Sequence, residues 1–241
     1  MIQLVKVSKR FGETWAVKDV SLDIQTGQTL CFIGTSGCGK TTTMKMINRL
    51  LDATSGQVLI DGQDVQAMDV IRLRRGQGYV TQRGGLFPHM TVAENVGLLP
   101  RMENWKKEDI RQKVDHLLEL VNLDPAVYRN RYPVELSGGQ QQRVGVARAL
   151  VLDPPIILMD EPFGALDPVT RRQIQDEFVR LKERFSKTVI MVTHDLPEAF
   201  RLGDVIALMH GGSLVQVGTS EDFLQRPANE FVRSFVDVQV A

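Results

Sequence analysis

Eight residues near the start of the chain have the composition and spacing of a phosphate-binding loop. The segment 34–41 reads GTSGCGKT and matches the pattern G-x-x-x-x-G-K-[ST]. An apolar run, 29–33, precedes the loop and a helical stretch through Leu51 follows it, which is the strand–loop–helix context that the pattern requires. Glycines let successive backbone N–H groups point inward, and the helix N-terminus adds the positive end of its dipole. The segment therefore predicts a cradle for the phosphates of a nucleotide.

The side chains of this loop add specific chemistry to the backbone cradle. Lys40 can reach the β- and γ-phosphates, and the Thr41 hydroxyl can hold Mg²⁺. The chain has two cysteines, Cys31 and Cys38, which make no disulfide framework. Cys38 is interpreted as a bystander in the loop, with a redox role as the alternative. The predicted nucleotide contacts in this region are Gly34, Thr35, Ser36, Gly37, Cys38, Gly39, Lys40, Thr41 and Thr42.

Two adjacent acids, Asp160 and Glu161, follow a second apolar run at 156–159. Neighbouring side chains on a strand point to opposite sides. Asp160 can therefore face the metal held by Thr41, while Glu161, at the turn, can polarise a water for attack on the γ-phosphate. An apolar run followed by Asp-Glu is also typical of a strand that leaves the core. Its pairing with the phosphate loop favours the functional interpretation.

Two more polar side chains follow predicted strands in the same way. Gln82 comes directly after the run 78–81, and His194 comes after 188–193. In open α/β sheets, ligands bind at the carboxyl ends of the strands. Each residue alone could be a capping or solvated group, but together they form a set suited to metal, water and γ-phosphate contacts.

A further glycine-containing segment, 136–143, reads LSGGQQQR and opens a helical stretch. It has the features of a second anion-binding helix start. Because one phosphate loop is already present, a second cradle is most useful if it serves a different nucleotide. Leu136 to Gln140 resembles the signature of ATP-binding cassette (ABC) proteins. The resemblance extends to Phe11 as the aromatic that stacks on adenine, to 165–167 as the D-loop with Asp167, and to His194 as the switch histidine.

This resemblance implies a head-to-tail homodimer with ATP and Mg²⁺ at the interface. The phosphate loop of one subunit and the signature of the other enclose each ATP, so closure completes the site and excludes water. It also implies that Ser137 and Gly139 contact the γ-phosphate in trans and that Glu161 is the general base. The remaining implied roles are Mg²⁺ and water contacts for Asp160, Gln82 and Thr41, γ-phosphate sensing for His194, and nucleotide contacts for Gly138, Gln140 and Asp167.

Longer stretches resemble the quaternary-amine uptake subfamily, whose members import glycine betaine, choline, carnitine or proline-type osmoprotectants. The stretches are 132–133, 140–148, 153–155, 163–168, 201–204 and 227–229. The resemblance implies a separate membrane permease, an indirect partnership with a substrate-binding protein, and a peripheral location on the cytoplasmic face of the inner membrane. Polyamine, sulfate or sugar import is the alternative, and a soluble non-transport ABC ATPase is a further one. Many members carry regulatory domains of the cystathionine-β-synthase type after the cassette, and we expect none in this chain.

Hydrophobic patterning supplies the elements that position these residues. Early apolar runs follow one another quickly, as in an antiparallel sheet, and later runs alternate with helices, as in a parallel α/β sheet. The spacing of apolar residues predicts amphipathic helices over 107–121 and 169–185. The predicted strands are 2–7, 20–24, 29–33, 57–60, 78–81, 156–159, 188–192, 205–208 and 213–217.

These elements predict an α/β fold, a P-loop NTPase of the ABC ATPase type. We expect a mostly parallel RecA-like sheet, an N-terminal antiparallel β subdomain and an inserted helical subdomain. The chain is predicted to be one domain, 1–241, with the α/β core at about 1–85 and 151–241 and the helical subdomain at about 86–150. We also expect the inserted lobe, with residues 82–96 beside it, to form a groove for a short helix of the membrane subunit. The motive is the cluster of Leu86, Phe87, Pro88 and Met90 next to Gln82, and the alternative is that these apolar residues belong to the core.

Composition excludes several other classes of protein. The 241 residues carry 29 Lys+Arg against 29 Asp+Glu, so the net charge is zero, which argues against a protein held to nucleic acid by global electrostatics. The chain has 43% apolar residues, which argues against disorder. No apolar run approaches the roughly 18 residues of a membrane span. The first ten residues carry charges where a signal peptide needs its apolar stretch, which predicts a cytosolic chain.

Overall fold

Contacts between residues divide the chain into two units, Met1–Arg74 with Ser186–Ala241, and Arg75–Phe185. The computed structural model describes residues 1–82, 85–164, 166–184 and 187–240. The predicted helical insert, 86–150, lies wholly within the second unit. The predicted subdomain borders themselves stay a prediction.

Strands and helices alternate along most of the chain. In chain order, the strands are β1 (Ile2–Phe11), β2 (Thr14–Ile24), β3 (Thr29–Gly34), β4 (Ser55–Ile60), β5 (Gln63–Asp64), β6 (Gln77–Val80), β7 (Ile156–Asp160), β8 (Thr188–Val192), β9 (Val205–His210) and β10 (Ser213–Gly218). The helices are α1 (Lys40–Ile47), α2 (Val70–Arg75), α3 (Val92–Val96), α4 (Leu98–Met102), α5 (Lys107–Leu120), α6 (Pro125–Tyr128), α7 (Gly138–Leu150), α8 (Pro168–Arg184), α9 (Leu196–Leu202), α10 (Ser220–Gln225) and α11 (Glu230–Val240).

The first unit contains an antiparallel sheet and a mostly parallel one. The antiparallel sheet has the order β2-β1-β4-β5, with Ile2 opposite both Ile24 and Ile60. In the other sheet β3 pairs in parallel with β8 and with β9, and β10 is antiparallel to β9. Every residue of β3 is buried, as expected of a central strand covered on both faces. The predicted combination of antiparallel and parallel sheets is confirmed.

Among its described residues, the second unit contains two strands and five helices longer than four residues. β6 and β7 are parallel, and α7 packs directly on β6 because Gly78 has no side chain. A Cβ added at Gly78 would lie 2.5 Å from the Ala149 carbonyl oxygen. The buried side chains of α5 are Val114, Leu117 and Leu118, the face that the apolar spacing predicted. Within the described part of 86–150 there is no strand, as expected.

Three elements differ from the predicted bounds by four residues or more at one end. β1 and β2 are longer than predicted. Irregular register, with Lys6 (φ 47°) and Asp19 (φ 49°) in left-handed conformations, interrupts the alternation of apolar and polar residues, so the pattern predicts only part of each strand. α1 is shorter: it ends at Ile47 rather than continuing through Leu51, since Arg49 adopts a left-handed φ of 51°, which a helix cannot accommodate. No helix among the described residues is both long and apolar enough to cross a membrane.

Candidate nucleotide-binding site

The predicted phosphate loop connects β3 to α1 in the first unit, with Gly39 as the N-cap of α1. Two of its glycines are required by close backbone contacts. A Cβ at Gly34 (φ 138°) would lie 2.1 Å from the Met209 carbonyl oxygen, and one at Gly39 (φ 105°) would lie 2.4 Å from the Ala16 carbonyl oxygen. These positions fix the path of the loop, so that α1 begins with its free N–H groups at the loop.

Lys40 is buried in this loop, with 6% of its surface exposed. Its ammonium donates to the carbonyl oxygens of Gly34 (2.7 Å) and Thr35 (3.0 Å) and lies 3.7 Å from the Cys38 sulfur. These three acceptors are all uncharged. The charge of the ammonium therefore remains available to an anion, as the predicted role with phosphates requires.

Thr41 and Thr42 follow in the first turn of α1 and are partly exposed. Thr43 is buried and donates its hydroxyl to the Gly39 carbonyl oxygen at 2.9 Å. Of these three hydroxyls, the Thr41 hydroxyl stands directly after Lys40, at the position that the pattern assigns to Mg²⁺.

His194 and Phe11 belong to the same unit as the loop. His194 is exposed and follows β8, which pairs in parallel with β3, so His194 and the loop follow neighbouring strand ends. Phe11 ends β1 with 49% of its surface exposed, and the Lys9 ammonium lies 5.2 Å from its ring centroid. An aromatic ring this exposed can stack on a base.

Gln82 and Glu161 are joined directly in the second unit. They follow the parallel strands β6 and β7, and the Gln82 Nε2 donates to Glu161 Oε2 at 2.8 Å. Glu161 has a left-handed φ of 46°, which costs about 1 kcal/mol or more for a residue with a Cβ. Gly164 packs against both side chains, since a Cβ there would lie 3.4 Å from Gln82 Nε2 and 3.5 Å from Glu161 Oε2. The structure therefore brings these two predicted site residues together.

Asp160 is the last residue of β7 and is only half-buried, unlike the four residues before it. Its charge reaches the neighbouring strand: burial, and then the negative charge of Asp160, raise the pKa of Tyr79 to about 12. An ionised carboxylate at this strand end is a suitable Mg²⁺ ligand.

The signature segment, Leu136 to Gln140, includes the N-terminal cap of α7. Ser137 is the N-cap: its hydroxyl oxygen accepts from the Gln140 N–H at 3.3 Å, and its own N–H donates to Gln140 Oε1 at 2.9 Å. Gly139 is explained by packing, because a Cβ there would lie 2.7 Å from the Thr170 methyl group. Gly138 is exposed, and a Cβ there would meet nothing closer than 4.0 Å. Its lack of a side chain leaves the helix start open to a ligand.

Arg148, also on α7, makes a partly buried contact that the sequence did not predict. Its Nη1 donates to the Gly85 carbonyl oxygen at 2.8 Å, in the loop that begins with Gln82, and burial lowers its pKa. An arginine in an apolar helical stretch indicates a buried partner, and this is a weak sequence signal for Arg148.

Asp167 is the N-terminal cap of α8. Its carboxylate accepts from the N–H groups of Thr170 (3.0 Å) and Val169 (3.1 Å), and hydrogen bonds from Thr170 hold its pKa below the usual value of 3.8. A structural role is therefore sufficient to explain Asp167, and its predicted nucleotide contact stays a prediction. Ala165 of the predicted D-loop lies outside the described residues.

The lowered pKa of Asp167 predicts how Asp167→Asn changes stability with pH. A carboxylate whose pKa is lower in the folded state stabilises the fold above its unfolded value, and this contribution is lost as the pH falls through the folded value. We expect Asp167→Asn, which keeps an oxygen acceptor, to be less stable than the unmodified chain at pH 7. The difference should shrink once the pH falls below the ordinary pKa of 3.8, toward the lower folded value. Urea unfolding at pH 7 and pH 3 measures it, with the exposed Asp237→Asn as the control. An equal difference at both pH values would contradict the assignment.

No group of three or more His, Cys, Asp or Glu side chains is gathered as a metal centre in the part of the chain that the structure describes. Mg²⁺ that binds together with a nucleotide usually takes one or two protein oxygens and completes its shell with waters and phosphate oxygens. Thr41 and Asp160 are the side chains with suitable chemistry.

The buried lysine in its glycine-constrained loop is typical of a P-loop nucleotide-binding protein. The paired glutamate and glutamine at parallel strand ends and the serine-capped helix start agree with this class. The model of the family described as "ABC transporter" matches residues 17–164. The chain belongs to the ABC transporter family.

Proteins similar to this chain include two named transport subunits. It is 52% identical to a glycine betaine/carnitine/choline transport ATP-binding protein of Bacillus subtilis over 98% of this chain and 62% of that protein. It is 49% identical to a glycine betaine uptake system ATP-binding protein of Escherichia coli, over 98% of this chain and 76% of that protein. The chain therefore spans less than two thirds of the length of the Bacillus relative.

Two solved structures of the cassette MJ0796 share the fold. One, described as dimeric, in a post-hydrolysis state and bound to ADP and Pi, has a TM-score of 0.80 and 35% identity over 91% of this chain and 98% of that one. The other, described as the dimeric structure of a bacterial ABC transporter cassette, has a TM-score of 0.81 and 37% identity with the same coverage. The predicted fold class is confirmed.

Proposed function

We propose that this chain binds and hydrolyses ATP and thereby powers the import of a quaternary-amine osmoprotectant through a separate membrane permease. The observation that carries the hydrolysis is the Glu161 carboxylate, which is held by Gln82 at 2.8 Å at the end of β7. A carboxylate in this place can accept a proton from a water that attacks the γ-phosphate.

ATP is proposed to bind with its phosphates at the loop 34–41 and its adenine on Phe11. Lys40 provides the uncompensated positive charge for the β- and γ-phosphates. Thr41 and Asp160 would hold Mg²⁺, which neutralises phosphate charge when it is bound. Gln82 orients Glu161, and His194 contacts the γ-phosphate from the strand end beside the loop.

Closure of two copies is proposed to complete each site. Ser137 and Gly138 are exposed at the start of α7, while Gly139 is buried. In a head-to-tail homodimer, Ser137 and the first N–H groups of α7, including that of Gly139, can bind the γ-phosphate held by the partner. Both MJ0796 cassettes described above are dimeric, which supports this arrangement. Closure also excludes water from the reacting phosphate.

Quaternary-amine import is supported by the relatives. Proteins 48–52% identical to this chain are named for glycine betaine, carnitine or choline transport and for osmoprotectant import. The charge balance of the chain offers no general affinity for nucleic acid. We place the chain peripherally at the cytoplasmic face of the inner membrane, attached through its permease, with the substrate-binding protein as an indirect partner.

A cavity in the second unit is the proposed docking site for a short helix of the permease. It has a volume of about 620 Å³ and lies within the predicted helical insert. Its lining comes from α3, α4, α5, the residues between α4 and α5, and Arg129, rather than from Leu86, Phe87, Pro88 and Met90, which the sequence pattern had favoured. The cations that line it are Arg101, Lys107, Arg111 and Arg129. Glu94 also lines the cavity, and Asp115 pairs with Arg111 (3.9 Å) and Arg129 (3.0 Å). The four cations outnumber these two acids, and Trp105 and Ile110 supply apolar surface, so the cavity fits a short amphipathic helix that carries acidic side chains.

Uptake of radiolabelled glycine betaine tests the proposal in cells that supply the permease and binding protein. We expect uptake only when this chain is present. Arg111→Glu should lower uptake and weaken co-purification with the permease about tenfold or more, because it places a like charge against the acidic helix. Arg172→Glu, an exposed cation of α8 outside the cavity, is the matched control. Uptake that is independent of the chain would contradict the proposed function.

A further inference from the structure

The hydroxyl of Tyr128, the last residue of α6, contacts the signature segment. Gln140 Nε2 donates to this hydroxyl at 3.1 Å, while Gln140 Oε1 accepts from the Ser137 N–H at 2.9 Å. The two ends of one amide group are therefore held by different partners. Only one orientation of the amide satisfies both, because the N–H of Ser137 requires an oxygen.

This arrangement fixes Ser137, the N-cap residue of α7. Ser137 is exposed, and its capping contact with the Gln140 N–H is long, at 3.3 Å. Without a second anchor, the exposed Ser137–Gln140 pair could adopt other side-chain rotamers at little cost. The Tyr128 hydroxyl is that second anchor.

Tyr128 itself is held by the chain that follows it. The carbonyl oxygens of Arg129 and Arg131 accept from the first N–H groups of α3, Ala93 (2.9 Å) and Val92 (2.8 Å). The Arg131 guanidinium lies over the Tyr128 ring, 4.9 Å from its centroid. The segment 128–131 is therefore tied to α3, and it presents the hydroxyl as a fixed acceptor.

We propose that Tyr128 is a positioning residue for the signature segment, Leu136 to Gln140. It holds the Gln140 amide, which holds Ser137, so that the Ser137 hydroxyl and the first N–H groups of α7 meet the γ-phosphate of the partner's ATP in one geometry. Tyr128 does not touch the nucleotide, and its effect passes entirely through Gln140. The inference rests on the proposed closure of two copies around ATP.

ATP-driven dimerisation tests the proposal, with Glu161→Gln as the parent so that ATP is retained. Light scattering at increasing ATP concentration gives the concentration for half-maximal dimer. We expect Tyr128→Phe to raise it by at least about fivefold, the effect of one lost hydrogen bond. Tyr132→Phe, in the same segment with 45% of its side chain exposed, should leave the value unchanged. The thermal unfolding midpoint without ATP should be the same in both variants.

A double-mutant cycle separates positioning from a general packing effect. Gln140→Met removes the amide and should itself raise the half-maximal ATP concentration, and adding Tyr128→Phe to it should change nothing further. Full additivity of the two substitutions would overturn the proposal, as would a Tyr128→Phe variant that dimerises like its parent. If the parent itself forms no dimer with ATP, the proposed function fails, and this inference fails with it.

Discussion

Glu161→Gln is expected to lower ATP turnover by about 10²- to 10⁴-fold, the usual contribution of a general base, while ATP-driven dimerisation persists. The carboxylate can take a proton from the attacking water, whereas the amide cannot. Phosphate release at saturating ATP measures the turnover, and light scattering measures the dimer. The two readouts should separate, because binding depends on the phosphate loop and the signature rather than on proton transfer.

Glu161→Gln is expected to preserve the hydrogen bond and the backbone conformation at this position. Gln82 donates to the Glu161 carboxylate, and the amide oxygen of the variant can accept the same hydrogen bond. The left-handed φ of 46° is no more strained for glutamine than for glutamate, since both side chains have the same unbranched Cβ and Cγ. The change therefore removes a base without moving the loop.

Glu119→Gln provides the matched control for this prediction. Glu119 is exposed on α5. Its substitution removes the same charge at a position distant in sequence from Gln82 and Glu161. We expect unchanged turnover in the control. If Glu161→Gln hydrolyses ATP at the rate of the unmodified chain, Glu161 is not the base and the proposed mechanism is wrong.

The parts of the site that could be predicted from sequence are those fixed by local chain geometry. The phosphate loop is one, because a strand, a glycine pattern and a helix start are adjacent in the sequence. The pairing of Gln82 with Glu161 is another, because polar residues that follow parallel strands meet at one sheet edge. The serine cap of α7 is a third, since its partner Gln140 lies only three residues away.

The remaining features depend on contacts between segments that are distant in sequence. The hydrogen bond of Tyr128 to Gln140 depends on the path of the chain between α6 and α7. Arg148 reaches Gly85 only because α7 lies directly on β6 over Gly78. The cavity lined by α4 and α5 depends on how short helices stack, which apolar spacing alone does not determine. Hydrophobic patterns predict which face of an element is buried but not the partner that buries it.

The same distinction explains the errors in element length. β1 extends to Phe11 although its outer half reads as polar, because bulges shift the residues that face the core. This longer strand carries Phe11, whose position at a strand end was therefore not visible from the alternation of residues. Its proposed role as a base-stacking platform comes from the family resemblance and from its 49% exposure, not from the pattern.

Lys40→Met is expected to abolish ATP binding while the protein remains folded. The ammonium is buried, its acceptors are the uncharged Gly34 and Thr35 carbonyls and the Cys38 sulfur, and methionine matches its length without its charge. Each charge-assisted hydrogen bond to phosphate contributes about 1.5–3 kcal/mol, so the loss of contacts to two phosphates should raise the Kd for ATP by about 10²-fold or more.

Thermal unfolding with and without Mg²⁺ and ATP measures this loss directly. A ligand at about 100 times its Kd stabilises the folded state by about 2.7 kcal/mol, which corresponds to a rise in Tm of roughly 5–10 °C for a chain of this size. We expect that rise for the unmodified chain and for Lys45→Met, a control that removes a lysine from the same helix. Lys40→Met should unfold without ATP much as the unmodified chain does, because the ammonium it removes is a buried charge with no anionic partner among its acceptors. An equal ATP-induced rise in Lys40→Met would show that the nucleotide phosphates bind elsewhere, and the loop 34–41 would then be only a turn between β3 and α1.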